Sequence, residues 1–167
     1  MTIPTPHWEI RPVSIEHPDA QMLIEQVQSY YVSLYGSRDE TPLEPGYFEP
    51  PQGAFFVGYL HGEPVASGAW RMRPDVAALL GLERPVEIKR MYVVSRHQRQ
   101  GLAGRMLAHL EQTAWAAGAT DVILESGAPQ AAALHFYEQS GYRPIQPFAH
   151  YRDSPLNRCL ARSLGGG

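Results

Sequence analysis

The sequence predicts one α/β domain: a mixed, mostly antiparallel sheet of six or seven strands with helices on both faces. Three observations predict it. The apolar run Met91-Tyr92-Val93-Val94 ends at a polar turn with small residues, Gln98-Arg99-Gln100-Gly101-Leu102-Ala103, and an amphipathic segment follows at once. Residues 54–60 and 65–72 are rich in aromatic, β-branched and small residues and flank the turn His61-Gly62-Glu63-Pro64, which reads as an antiparallel hairpin. Finally, the strand at 86–94, a helix after it and the apolar stretch Asp121-Val122-Ile123-Leu124-Glu125 have the order of a right-handed crossover between parallel strands. A chain of 167 residues suits a single domain with a real core. It is expected to span residues 1–164, with Gly165-Gly166-Gly167 as a flexible tail.

Each element has its own signal. Trp8-Glu9-Ile10-Arg11-Pro12-Val13 alternates as a short first strand does. Pro18 suits a helix start. Leu23, Val27, Tyr30, Tyr31 and Leu34 then recur at spacings of three and four, which predicts one buried helical face, and Gly36 is a fitting stop. Residues 37–52 are polar, acidic and punctuated by proline. They read as a long loop, with room for a short helix, that covers a substrate. Residues 75–85 read as a second loop with one helical turn. Within 86–94, Val86 and Ile88 keep period two, as do Met91 and Val93, but the pairs are out of phase. A β-bulge near Lys89-Arg90 restores one buried face and puts Glu87, Arg90 and Tyr92 on the other. The next helix buries Leu102, Met106, Leu110 and Ala114 with Leu107 and Ala117 alongside. It turns Arg105, His109 and Gln112 outward and ends at Gly118. Residues 129–139 form a further helix closed by Gly141, and residues 142–148 and 157–160 read as the last two strands.

Composition excludes several classes. The net charge of −3 gives no electrostatic case for nucleic acid or an anionic membrane surface. No apolar run approaches the roughly 20 residues needed to span a bilayer. The N-terminus, MTIPTPHWEI, has no basic segment followed by an apolar core, and Cys159 is the only cysteine, which together suit a cytoplasmic protein. Cys159 sits in an expected strand and reads as core. The 7 histidines lack metal spacing, so no metal is expected. His150, Tyr151 and Arg152 sit in the C-terminal loop, where a substrate could bind, and read first as ordinary surface residues.

A strand, a turn of small residues and a helix start form a pattern that grips a pyrophosphate through backbone N–H groups, with Gly101 and Ala103 leaving room for phosphate oxygens. By itself the pattern equally suits a ligand-free turn. However, Gln98-x-x-Gly101-x-Ala103 resembles the acetyl-coenzyme A motif of the GNAT N-acetyltransferase superfamily, Q/R-x-x-G-x-G/A. Glu87-Ile88 precedes it on the same strand, as in many GNAT enzymes, and Phe136-Tyr137-Glu138-Gln139-Ser140-Gly141-Tyr142 is similar to the family's closing F-Y-E-x-x-G-F/Y signature. The specific resemblance covers residues 86–145 and is that of small, stand-alone bacterial members.

The resemblance implies a splayed parallel strand pair that admits the pantetheine arm, and acetyl-CoA as co-substrate. Gln98, Arg99, Gln100, Gly101, Leu102, Ala103 and Gly104 would hold its pyrophosphate. The backbone of Met91, Tyr92 and Val93 would meet the thioester, and Gln130 would stand where the family often has Asn. The implied reaction is direct transfer of acetyl to a primary amine. Glu87 takes the proton, with an ion pair to Lys89 or Arg90 as its bland alternative and Glu125 as a rival carboxylate. Tyr137 protonates the leaving thiolate or, in the plainer reading, is core aromatic. A small-molecule amine is the expected acceptor, attracted by Asp39, Glu40, Glu44 and Glu49 or gripped through a carboxylate by Arg71, Arg73 and Arg90. A protein amine and a non-catalytic acyl-CoA sensor are the alternatives. Homodimerisation is common in the superfamily.

Overall fold

Alternation along a strand sends neighbouring side chains to opposite faces of a sheet. In β2 (Gly53–Leu60) the ring of Phe55 meets Phe48 at 6.5 Å, whereas that of Phe56 meets His109 at 4.6 Å on the other side. Both faces of the central strands are therefore buried, which explains their near-continuous apolar runs. The computed structural model describes residues 7–41, 43–149 and 151–165. The tail expected at residues 165–167 falls outside them at residues 166 and 167, as does His150 of the C-terminal loop.

Among the described residues, seven strands form one sheet in the order β1-β2-β3-β4-β5-β7-β6. The strands are β1 (Trp8–Pro12), β2, β3 (Glu63–Met72), β4 (Pro85–Val93), β5 (Asp121–Gly127), β6 (Arg143–Ile145) and β7 (Asn157–Ser163). All pairs are antiparallel except β4 and β5. Helix α1 (Pro18–Tyr35) covers one face and α3 (Leu102–Ala116) the other. The hydroxyl of Tyr59 on β2 donates to Asp19 of α1 at 2.6 Å, and the indole of Trp70 on β3 donates to Thr113 of α3 at 3.0 Å. Two shorter helices, α2 (Pro74–Leu80) and α4 (Ala131–Gln139), complete the layers. The loop at 37–52 carries a short 3₁₀ turn, Pro45–Phe48, which plugs Phe48 into the core.

Several expectations change in detail. Helix α1 buries Ala20, Leu23, Ile24, Val27 and Gln28, but Tyr30 lies off that stripe and is 46% exposed. Ala117 is exposed because α3 has already ended and this residue caps it. His109 is half-buried edge-on against Phe56 rather than turned outward, and burial lowers its pKa. The strand expected at 142–148 shrinks to Arg143–Ile145, since Pro144 and Pro147 lack the N–H that a longer ladder needs. Cys159 is core, as expected, in a small apolar cluster with Val76, Ile123 and Phe148.

Candidate active site

Strands β4 and β5 pair only at Pro85–Asp121, Val86–Val122 and Glu87–Ile123. Beyond Glu87 they part, while β5 stays on β7 as far as Gly127 opposite Asn157. A bulge drives the separation. Ser67 pairs with Tyr92 and Ala69 with Lys89, so Gly68 alone opposes Arg90 and Met91, and Arg90 has φ +53°. This is the irregularity the out-of-phase apolar pairs predict. The displaced Arg90 carbonyl accepts from the Ser67 hydroxyl at 2.8 Å, so the bulge leaves no buried acceptor unmet there.

The parted strands frame a slot of about 80 Å³ lined by Met91, Leu124, Glu125, Ser126, Gln130 and Tyr137. It joins a second cavity of about 280 Å³ under α1 and the C-terminal loop, with Tyr31, Tyr35, Lys89, Glu125, Gly127 and Tyr151 in its wall. Gly127 permits this geometry. A Cβ there would stand 2.0 Å from the Tyr35 hydroxyl, so any side chain would evict that tyrosine.

The turn before α3 ends with Gly101 at φ +81°, and the first bond into the helix runs from Arg105 N–H to the Gly101 carbonyl at 3.2 Å. The N–H groups of Leu102, Ala103 and Gly104 therefore face outward from the positive end of the helix. Nothing lies within 4 Å of where a Cβ would stand at Gly101 or Gly104, so main chain is open to a ligand on this side. These outward N–H groups fit a pyrophosphate. The Gln98 side chain is committed to the turn itself, donating to the Val93 carbonyl at 2.9 Å.

Charge in the paired cavities is unevenly satisfied. Asp39 accepts from Arg90 at 2.5 Å and from the Tyr151 hydroxyl at 3.0 Å. Burial pushes the Asp39 carboxyl up, but the Arg90 guanidinium, helped by Lys89, holds it well below the usual range. Among the described residues Glu125 accepts only the Tyr151 backbone N–H, at 3.1 Å, and burial raises its carboxyl against the pull of Lys89. The Tyr137 hydroxyl sits 3.8 Å from the Met91 sulfur, and burial raises its pKa strongly. Tyr31 is pushed up to about 12, again mainly by burial. Both phenols are thus fully protonated at neutral pH.

The slot brings together six of the residues singled out from sequence for the donor, the chemistry or the acceptor: Met91, Gln130, Tyr137, Glu125, Asp39 and Arg90. Gln130 donates to the Tyr35 hydroxyl at 2.9 Å and accepts from Ser126 at 3.2 Å, so it ties α4 to α1. Glu87 lies elsewhere. Its Oε1 accepts from Arg73 at 2.7 Å and Arg71 at 3.4 Å, and it lines a separate cleft of about 410 Å³ beside α2. The ion pair of Glu87 is therefore with β3 and the residue after it, and less closely with Lys89 at 3.8 Å. Tyr92 reaches α1, donating to Gln26 at 3.2 Å. Sequence reasoning missed Tyr35 and Lys89 as wall residues and took Tyr151 for plain surface. Tyr151 instead holds the loop at residue 39, at the base of the cavity. No local pattern announces such a contact, since residues 39 and 151 meet only through the fold.

Residues 20–142 match the model of the acetyltransferase (GNAT) family. An "IAA acetyltransferase" of Azospirillum brasilense is 29% identical over 142 residues, which cover 85% of this chain and 88% of the relative. Among solved structures, a Klebsiella pneumoniae protein assigned as an acyl-CoA N-acyltransferase superposes with a TM-score of 0.74 at 24% identity, over 94% of this chain and 97% of the other. A GNAT family acetyltransferase of Elizabethkingia anophelis, solved with acetyl-CoA bound, gives 0.62 at 15% identity, over 94% and 98%. Among the described residues no group of His, Cys, Asp and Glu could hold a metal, and no helix is long and apolar enough to cross a membrane.

Proposed function

The chain belongs to the GNAT acetyltransferase family, and we propose that it moves an acetyl group from acetyl-CoA directly to the primary amine of a small molecule. One observation carries this reading: beyond the β4 bulge the parted strands frame a slot lined by Met91, Glu125 and Tyr137, which shares Glu125 with a larger cavity. At about 280 Å³ that cavity lies at the small end of ligand pockets, which favours a small acceptor over a protein chain.

Acetyl-CoA supplies the activated thioester. The backbone of residues 98–104 holds the pyrophosphate, with Arg99 on its exposed side. The edge of β4 at Met91, Tyr92 and Val93, left without a β5 partner, receives the pantetheine arm and offers an N–H to the acetyl carbonyl. Glu125 takes a proton from the acceptor ammonium. Its carboxyl, raised by burial, is a better base than an exposed one, and it lines both cavities. Glu87 lines neither and shares its charge with two arginines, so it orders the β3–β4 face instead. As the amine nitrogen bonds to the acetyl carbon and the carbon–sulfur bond breaks, Tyr137 gives its phenolic proton to the sulfur. The new amide nitrogen then loses its second proton, which the phenolate recovers, and Glu125 releases the first to solvent.

Titration of the protein with acetyl-CoA in a calorimeter, beside the Gly104→Glu variant, tests the reading. Gly104 has open space and no left-handed backbone, so the variant folds while its carboxylate opposes the pyrophosphate. Micromolar binding lost in the variant, followed by amine-dependent thiol release, is the expected result. A folded wild type that binds no acetyl-CoA would overturn it.

A further inference from the structure

The arginines that could grip an acceptor carboxylate are already occupied. Arg73 makes paired bonds of 2.9 Å to Asp75 and one of 2.7 Å to Glu87. Arg71 lies over the Tyr47 ring at 4.5 Å with its Nε toward Glu87, in the cleft away from the slot. Arg90 is committed to Asp39, and Arg38, at the rim of the larger cavity, makes two bonds to Glu25. That leaves Lys89. Its side chain is 8% exposed and lines both the cavity and the slot. The nearest carboxylate oxygen, Glu87 Oε2, is 3.8 Å from its Nζ, beyond hydrogen-bond distance. Among the described residues Glu87 Oε2 has no hydrogen-bond partner, and neither have the buried Nε and Nη2 of Arg90, which lines the slot.

A largely buried ammonium held only by a carboxylate at 3.8 Å gains a charged hydrogen bond from any acceptor that enters the space before it. Glu125 lines the same cavity and slot, where it can meet an ammonium. The cavity thus presents both a cation and a carboxylate, in a space suited to a molecule the size of an amino acid.

We propose that the acceptor is an amino-carboxylate, its amine at Glu125 and its carboxylate on the Lys89 ammonium, with the free Arg90 N–H groups behind. The assignment rests on the acetyltransferase reading above. It explains why a largely buried position of β4 is a lysine that lines the cavity. It also makes Lys89 a specificity residue rather than a proton-transfer group.

The test is thiol release from acetyl-CoA with α-amino acids, β-alanine and γ-aminobutyrate, each beside its carboxamide and its decarboxylated amine. Wild type, Lys89→Met and Lys89→Gln are compared, and each is titrated with acetyl-CoA to verify an intact donor site. Methionine matches the length of the lysine stem and fills its space without charge. The expected result is a preference of roughly 10- to 100-fold in kcat/KM for the carboxylate over its carboxamide, the scale of a charged hydrogen bond. Both variants should bring that ratio toward one, chiefly through KM. A wild type that favours carboxamides or plain amines overturns the proposal, as does a preference that survives both variants. Acetyl-CoA binding with no thiol release from any amino-carboxylate also overturns it and leaves the donor site standing. Failure to bind acetyl-CoA overturns the acetyltransferase reading instead.

Discussion

Glu87 and Glu125 show how little a residue type says without its surroundings. Glu87 pairs in register with Ile123, two residues before Glu125, so the two carboxylates share one face of neighbouring strands. Glu87 is 1% exposed and bound to arginines, whereas Glu125 takes a single backbone N–H and lines the slot. Glu125→Gln is expected to lower kcat/KM by about 10²- to 10⁴-fold. The wild-type rate should rise with pH through a midpoint above the ordinary 4.5, because the active form is the deprotonated one, and the variant should lose that limb. Glu87→Gln should lower that midpoint, since the Glu87 charge helps to raise the Glu125 carboxyl, and should lose about 1–3 kcal/mol of stability as Arg73 keeps Asp75 but loses a buried acceptor. Thermal melts and pH–rate profiles separate the two. Tyr137→Phe should lower kcat by at least about 10²-fold at neutral pH if the phenol is the acid. As burial raises that phenol above its ordinary 10.0, no alkaline decline below that value should come from it.

At the level of the element, the donor site depends on how α3 is held. Its first turn offers the N–H groups, but its place over the sheet comes from Met106, Leu110 and Ala114 packed beneath. A Cβ at Gly68 would lie 2.9 Å from both Met106 and Leu110, so helix and bulge meet closely. Leu110→Ala is expected to cost about 2–5 kcal/mol in denaturant unfolding. The bulge period was legible in the sequence because apolar residues on a buried strand must keep one face, and any slip shows as a phase change. The identity of the carboxylate at the slot was not legible. The separation of β4 from β5 places Glu125 there, and the separation is a property of two strands together.

For the whole molecule, the contact of the residue-39 loop with β4 and the C-terminal loop closes the cavity. Asp39 joins Arg90, Tyr151, Gln28 and the Thr41 backbone, and so ties three distant stretches of chain. Its carboxyl is depressed in the folded state, so it stabilises the fold above the ordinary value of 3.8, and that stabilisation is lost as pH falls below it. Wild type should therefore lose stability on acidification through this range. Asp39→Asn should start less stable by about 3–5 kcal/mol, because Arg90 is left buried and alone, and should show a flatter acid limb in melts across pH.

The sequence by itself determined the sheet, the crossover, the bulge and the turn before α3. Each rests on local periodicity or on a glycine at a position with positive φ, and such constraints are written within a few residues. Tertiary structure alone decided which charges meet. Arg71 and Arg73 turned to Glu87, Arg90 turned to Asp39, and Lys89 and Glu125 came to line one cavity. Ion pairing in a buried space depends on which side chains arrive at one point from strands and loops far apart in the chain. No spacing along a single strand records that.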